Sequence, residues 1–201
     1  MSATRSPAAA AAPITLEGPR LRLRPWQPED LAPLAALNAD PAVMRHIAPP
    51  LSRAESDAWA ARLAEHFARH GWGFWAVERR EVPGLIGLVG LQHLSWDPPW
   101  DAGYTPAVEL GWRIAAPFQR QGFAGEAAQL ALAAGFGRIG LAEVIAFTTP
   151  GNAPSWLLMA RLGMRPAGVF EHPRLEPGHP LRTHLLYRLG RAAWQPPDWL
   201  R

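Results

Sequence analysis

The stretch Gln119-Arg120-Gln121-Gly122-Phe123-Ala124-Gly125 decides how the rest of the chain is read. It joins a predicted strand, Val108 to Ile114, to an alanine-rich predicted helix running from Gly122 to Arg138. A helix start presents backbone N–H groups without intrahelical partners, and the macrodipole adds partial positive charge there. Glycines at 122 and 125 let a phosphate approach that backbone closely, so the stretch reads as a pyrophosphate cradle. It lacks the Gly-Lys-Ser/Thr ending of a nucleoside-triphosphate loop and the Gly-x-Gly-x-x-Gly spacing of a dinucleotide fingerprint.

Outward from this loop, the pattern alternates strands and helices. Upstream, Leu21-Arg22-Leu23-Arg24 alternates apolar and basic residues as a half-exposed strand does. Pro28-Glu29-Asp30 announces a helix carrying Leu31, Leu34, Ala35 and Leu37, with Pro33 placing its start late and Asp30 as N-cap. Ser52-x-x-Glu55 is a capping box for a helix that runs to about His70 and stops before Gly71. Phe74–Glu78 and Leu85–Leu91 read as strands separated by a Pro-Gly turn. Ser95 to Pro106 is a loop with two tryptophans, three prolines and two aspartates. Downstream come a strand over Val144–Thr148, a helix over Asn152–Leu162, and strands near Val169 and over Leu185–Leu189. The helix from 122 aligns Ala127, Leu130, Ala131 and Ala134 in one stripe suited to a sheet. The order describes one α+β domain over 14–192 with mixed strand directions, between a disordered tail at 1–13 and a C-terminal tail at 193–201.

Composition removes several functions. At 201 residues and 48% hydrophobic content the chain can bury one substantial core. All 20 basic residues are arginine, which excludes Schiff-base lysine chemistry and a P-loop lysine. Without cysteine there is no thiolate nucleophile, thiolate zinc site or disulfide, which fits a cytoplasmic protein. The pI near 10.4 reflects arginine's high pKa more than excess charge, since the net charge is +3. Arginines interspersed with 17 acids make no basic stripe for nucleic acid. Charged or polar residues interrupt every candidate membrane span, and Ala8–Ala12 is too short and weakly apolar for a secretory signal.

Several blocks in order resemble the GNAT N-acetyltransferase superfamily, in its RimJ/RimL-type branch of ribosomal-protein N-terminal acetyltransferases. TLEGPRLRLRPW and PEDLAPLAALNADPAVMRHI are similar to the branch's N-terminal half, and VELGWRI to its fourth strand. QRQGFAGEA resembles its pyrophosphate loop, NAPSWLLMARLGM its Asn-x-x-Ser helix, and RTHLLYRL its last strand. The resemblance covers roughly 14–190. It implies a central twisted mixed β-sheet flanked by helices, with a cofactor cleft where the family's fourth and fifth strands splay apart.

The same resemblance implies acetyl-CoA as acyl donor and no metal. The backbone of Trp112, Arg113 and Ile114 would pair with the pantetheine arm. Gln119, Arg120, Gln121, Gly122, Phe123, Ala124 and Gly125 would surround the pyrophosphate, and Asn152 would reach the cofactor near its pantetheine end. A bulge in the fourth strand at Gly111 is expected. Many members carry a tyrosine acid seven residues after the asparagine; here that position is Met159, which moves the role to Ser155. An acidic base near the chain's end aligns with Glu171 or Arg174.

Acetyl transfer to an amine requires a base for the ammonium proton, donors for the developing oxyanion and a proton for the thiolate. Glu109, opposite Leu110 by strand alternation, is the candidate base, with a pKa raised by burial. Its alternative is a glutamate paired with Arg22 or Arg24 across the sheet. The N–H near Trp112 is the candidate oxyanion donor. Ser155 and Asn152 are each read equally well as helix caps.

His66 and His70 stand one helical turn apart, but without a third ligand they read as a cationic helix end. His172, His179 and His184, near Glu171 and Glu176, read as solvated loop positions, with a substrate-pocket role as the alternative. Trp96 and Trp100 are assigned to acceptor binding, with core cover as the alternative. The expected activity is direct acetyl transfer to a primary amine, either a protein N-terminus or a small molecule, with a homodimer possible. A non-catalytic acyl-CoA-binding or regulatory module is the alternative.

Overall fold

The computed structural model describes residues 12–100 and 107–200. Residues 1–11, which hold most of the expected tail, and Asp101 of the tryptophan loop lie outside that range. Ile14 is already buried, its N–H bonded to Gly71 and its carbonyl receiving the Trp75 indole at 2.6 Å.

Strands β1 (Leu16–Glu17) and β2 (Leu21–Arg24) form an antiparallel pair. Leu21 and Leu23 turn into the core, as the alternation requires. A single 3-10 turn over Pro28–Asp30 leads into helix α1 (Leu31–Ala39). Asp30 sits at the helix start as expected, but its carboxylate does not cap α1. It instead accepts from the Gln27 backbone and takes both terminal nitrogens of Arg24, at 2.6 and 2.8 Å. A short helix α2 (Pro41–Met44) follows, capped by Asp40.

Helix α3 (Arg53–His70) opens on the Ser52–Glu55 capping box and closes on Gly71, whose φ of 75° needs a glycine. Strands β3 (Phe74–Arg79), β4 (Leu85–His93) and β5 (Val108–Ile114) form an antiparallel meander. Helix α4 (Phe123–Ala133) widens into a π-helical turn over Ala134–Ile139 and ends at Gly140, accounting for the predicted helix length. Strand β6 (Glu143–Thr148), helix α5 (Ala153–Arg161), and strands β7 (Arg165–Glu171) and β8 (Thr183–Gly190) complete the fold.

The described strands form one eight-stranded sheet in the order β1-β2-β3-β4-β5-β6-β8-β7. Neighbours are antiparallel except β5 and β6, which run parallel. On one face the alanine stripe of α4 packs close to the sheet, with Ala127, Leu130 and Ala131 against a core including Leu21, Trp75, Val89 and Leu110. The other face carries a smaller cluster in which Leu34, Leu37 and Ala60 meet Leu88. Beyond β8, Trp194 returns onto α4, donating to Gln129 at 2.9 Å and packing on Phe136. No helix among the described residues is long and apolar enough to cross a membrane.

Candidate active site

The site begins with a failure of pairing. β5 and β6 share a single register pair, Glu109↔Ile145, and beyond it the strands part. On its other edge β5 keeps unbroken register with β4, from His93↔Val108 to Gly87↔Ile114. The expected bulge at Gly111 is therefore absent, and the opening comes from the departure of β6. Gly111 has another reason to be glycine: a Cβ there would lie 2.8 Å from two ring carbons of Phe74. The resulting cleft has a volume of about 400 Å³.

Alternation puts Glu109, Gly111 and Arg113 on the cleft side of β5, while Leu110 enters the core. Burial pushes the Glu109 carboxyl up to about 7. Glu109 is the sole carboxylate among the described residues lining the cleft. The alternative pairing with Arg22 or Arg24 does not occur. Arg24 bridges Asp30 and Glu78, and Arg22 bridges Glu17 and Glu78. Glu171 does not line the cleft; it is held by Thr183 at 2.8 Å and Arg182 at 3.0 Å.

Ser155 and Asn152, at the start of α5, face the opening from the β6 side. Neither side chain caps the helix. Asn152 donates to the Thr148 hydroxyl at 2.9 Å, and the Ser155 hydroxyl accepts from the Trp112 indole at 3.3 Å. That indole contact spans the split between β5 and α5. Met159, one turn on, is buried and also lines the cleft.

At the far end of β5 the loop expected to cradle phosphate contains left-handed backbone. Arg120 has φ 62° and Gly122 φ 83°, two left-handed residues just before α4 begins. Gln119 closes the loop onto β5 by donating to the Ile114 carbonyl at 2.9 Å, so that carbonyl is already satisfied. Gln121 donates to the Pro117 carbonyl at 2.8 Å, and Phe123 is buried in the core. Ala124 and Gly125 form the first turn of α4.

Arg20, which sequence reasoning missed, braces this loop. Its guanidinium bonds Glu126 at 2.7 Å and the Gln121 carbonyl at 3.0 Å, and lies over the Phe123 ring. Nothing local in the sequence links residues so far apart.

The rest of the cleft is walled by side chains from several elements. The Arg113 side chain lies over the Trp59 ring at 4.7 Å and donates to Asn38, and burial draws its pKa down to about 10. Trp96 lines the cleft, but Trp100 stands behind it, edge-on to Trp96 and to Phe170. His172 and His184 are not solvated loop residues: both line the cleft and pack against Phe147 and Phe170. Burial pulls His172 down to about 4 and lowers His184, so both are neutral at pH 7. Arg174 ties this wall to the tryptophan loop through Ser95 at 2.6 Å. His179 lies outside the cleft lining.

Residues 20–165 match the family model described as an acetyltransferase (GNAT) domain. The Bacillus subtilis protein named uncharacterized N-acetyltransferase YoaA is 28% identical over 174 residues, spanning 85% of this chain and 93% of that protein. Among solved structures, a GNAT-family acetyltransferase from Bacillus anthracis superposes with a TM-score of 0.71 at 21% identity, over 89% of this chain and 99% of the other. RimJ of Mycobacterium smegmatis in complex with CoA-disulfide gives 0.67 at 21% identity, over 89% and 88%. At these identities the structures establish the shared fold.

Proposed function

Because the chain belongs to the GNAT acetyltransferase family, whose fold uses acyl-CoA, we propose that it moves an acetyl group from acetyl-CoA directly to a primary amine. The observation that carries this reading is Glu109, a carboxyl raised to about 7 at the foot of the split between β5 and β6. In this reading the unpaired edge of β5 at Trp112 and Arg113 lies along the pantetheine arm. The N–H groups of 119–125 receive the pyrophosphate, and Asn152 lines the route between.

Glu109 takes the proton from the incoming ammonium, directly or through water, leaving the amine's lone pair free to attack. A backbone N–H near Trp112 faces the charge that develops on the carbonyl oxygen. Ser155 donates its hydroxyl proton toward the departing sulfur. Its oxygen is fixed by the Trp112 indole, which leaves the hydroxyl hydrogen free to turn into the cleft. Trp96 and the neutral imidazoles of His172 and His184 wall the acceptor side without repelling a cationic amine. Trp100 supports Trp96 from behind. The acceptor is a peptide N-terminus, as in the branch that the sequence resembles, or a small-molecule amine.

Met159 in the usual acid position is the observation favouring a non-catalytic acyl-CoA-binding module. One assay separates the two readings. Acetyl-CoA is offered with peptides bearing free or blocked N-termini, polyamines and amino sugars, while thiol release and product mass are followed. Acceptor-dependent thiol release with an acetylated product is expected. A folded protein that binds acetyl-CoA yet acetylates nothing in the panel supports the binding module.

A further inference from the structure

At the edge of the cleft, three imidazoles converge where α3 ends. His66 and His70 occupy one face of its last turns. At Gly71 the chain reverses through Trp72 and Gly73 into β3, and the end of β4 runs past this turn, with the Leu91 N–H bonded to the Gly73 carbonyl at 3.1 Å. That register delivers His93 beside the helix. The rings of His66 and His70 lie 4.4 Å apart, those of His70 and His93 4.9 Å, and those of His66 and His93 5.8 Å, around Trp72. One ring nitrogen from each lies within 4.8 Å of the others. The sequence held the first two histidines; the missing third ligand comes from 23 residues beyond His70, through sheet register.

We propose that His66, His70 and His93 form a three-imidazole site for a divalent transition-metal ion of the Zn²⁺ class, clasping the C-terminus of α3 to the end of β4. Zinc sits about 2.0–2.1 Å from imidazole nitrogen in tetrahedral geometry. Nitrogens about 3.4 Å apart satisfy that geometry, a closure within reach of ring rotation. His66 is already oriented as a ligand. The Trp72 carbonyl at 2.9 Å can only accept, so Nδ1 carries the hydrogen and Nε2 keeps its lone pair. The long contact from the His93 N–H at 3.4 Å is a weak competitor for that lone pair.

Burial draws His66 down to about 4 and lowers His70, which keeps both rings in the neutral form that binds metal. The nearest helix cation, Arg69, is paired with Glu65 at 2.7 Å. An all-imidazole donor set without carboxylate suits zinc, copper or nickel and not magnesium or calcium. His93 also lines the acetyl-transfer cleft, so occupancy braces its acceptor-side wall.

The test uses full-length protein with any affinity tag removed and metal stripped by chelator and dialysis. Calorimetric titration with Zn²⁺, beside Mg²⁺, should show one saturable Zn²⁺ site per chain, a raised Tm with Zn²⁺, and no response to Mg²⁺. His70→Ala and His93→Ala, each checked by circular dichroism for retained fold, should each weaken Zn²⁺ at least about tenfold, the lower end of what losing even an outer-shell partner costs. His172→Ala, in the other histidine group, should bind as wild type does. Absence of saturable Zn²⁺ binding overturns the site, as does undiminished binding in both folded variants. Loss of binding in His172→Ala with retention in the other two also overturns it.

Discussion

Glu109 combines two properties that stability alone would not select together: a carboxyl buried enough to be raised to about 7, and a place on the open wall of a cleft. Its folded pKa exceeds the unfolded value of 4.5, so between about 4.5 and about 7 the native state holds the proton that the unfolded chain releases. Stability from this group is therefore present below 4.5 and falls as pH rises toward 7. Base function runs the other way, growing as the carboxyl ionises. Glu109→Gln removes both effects. It should lower the acetylation rate at neutral pH by roughly a hundredfold, the scale of losing a general base, with acetyl-CoA affinity nearly intact. The same variant should melt at a higher temperature than wild type at pH 8. An unchanged pH–rate profile would contradict the role, whatever the melting point does.

At the scale of elements, the cleft depends on what holds β2, β3 and the turn before α1 in place beside it. Arg24 is nearly enclosed and joins them, bonding Asp30 through both terminal nitrogens and Glu78 through Nε at 2.9 Å. The carboxylates of Asp30 and Glu78 are buried. Arg24→Ala would leave both without their shared cation, and breaking a buried pair costs about 3–5 kcal/mol. Urea unfolding of the variant should show a midpoint lowered by that order with little change in slope; a loss below about 1 kcal/mol would mean that the carboxylates find water instead.

Elements announced by local chemistry were legible in the sequence. The Ser52–Glu55 box fixes where α3 starts, the alternation of Leu21 and Leu23 marks β2, and the glycine-bearing loop at 119–125 marks where α4 begins. Features set by distant partners were not. Arg20 reaches Glu126 across 106 residues, and Asp30 turned from a cap into a partner for Arg24. Strand pattern located Glu109 and gave it two readings; the ion pairs of Arg22 and Arg24 with other acids removed one of them. His172 and His184 stand on either side of a turn whose sequence looks solvated. Their placement against Phe147 needs the β8 register on β6, where Leu186 pairs with Phe147.

Over the whole molecule, one parallel pair in an otherwise antiparallel sheet creates the site. The meander through β5 supplies a continuous wall, α4 begins where β5 ends, and α5 begins where β6 ends. A helix start therefore follows each of the two strands, and that of α5 lines the opening. The central claim is that this opening holds acetyl-CoA with its pyrophosphate on the loop at 119–125. Gly122 has φ 83°, and a Cβ there would lie 3.3 Å from the Arg20 guanidinium, so Gly122→Val obstructs the loop where phosphate would sit. Calorimetric titration of acetyl-CoA into wild type and into Gly122→Val, at a temperature where both are folded by circular dichroism, is the most direct test. The account predicts saturable one-to-one binding by wild type and an affinity at least roughly tenfold weaker in the variant, a difference of about 1.4 kcal/mol. Equal affinities in the two folded proteins, or no binding by wild type, would contradict it.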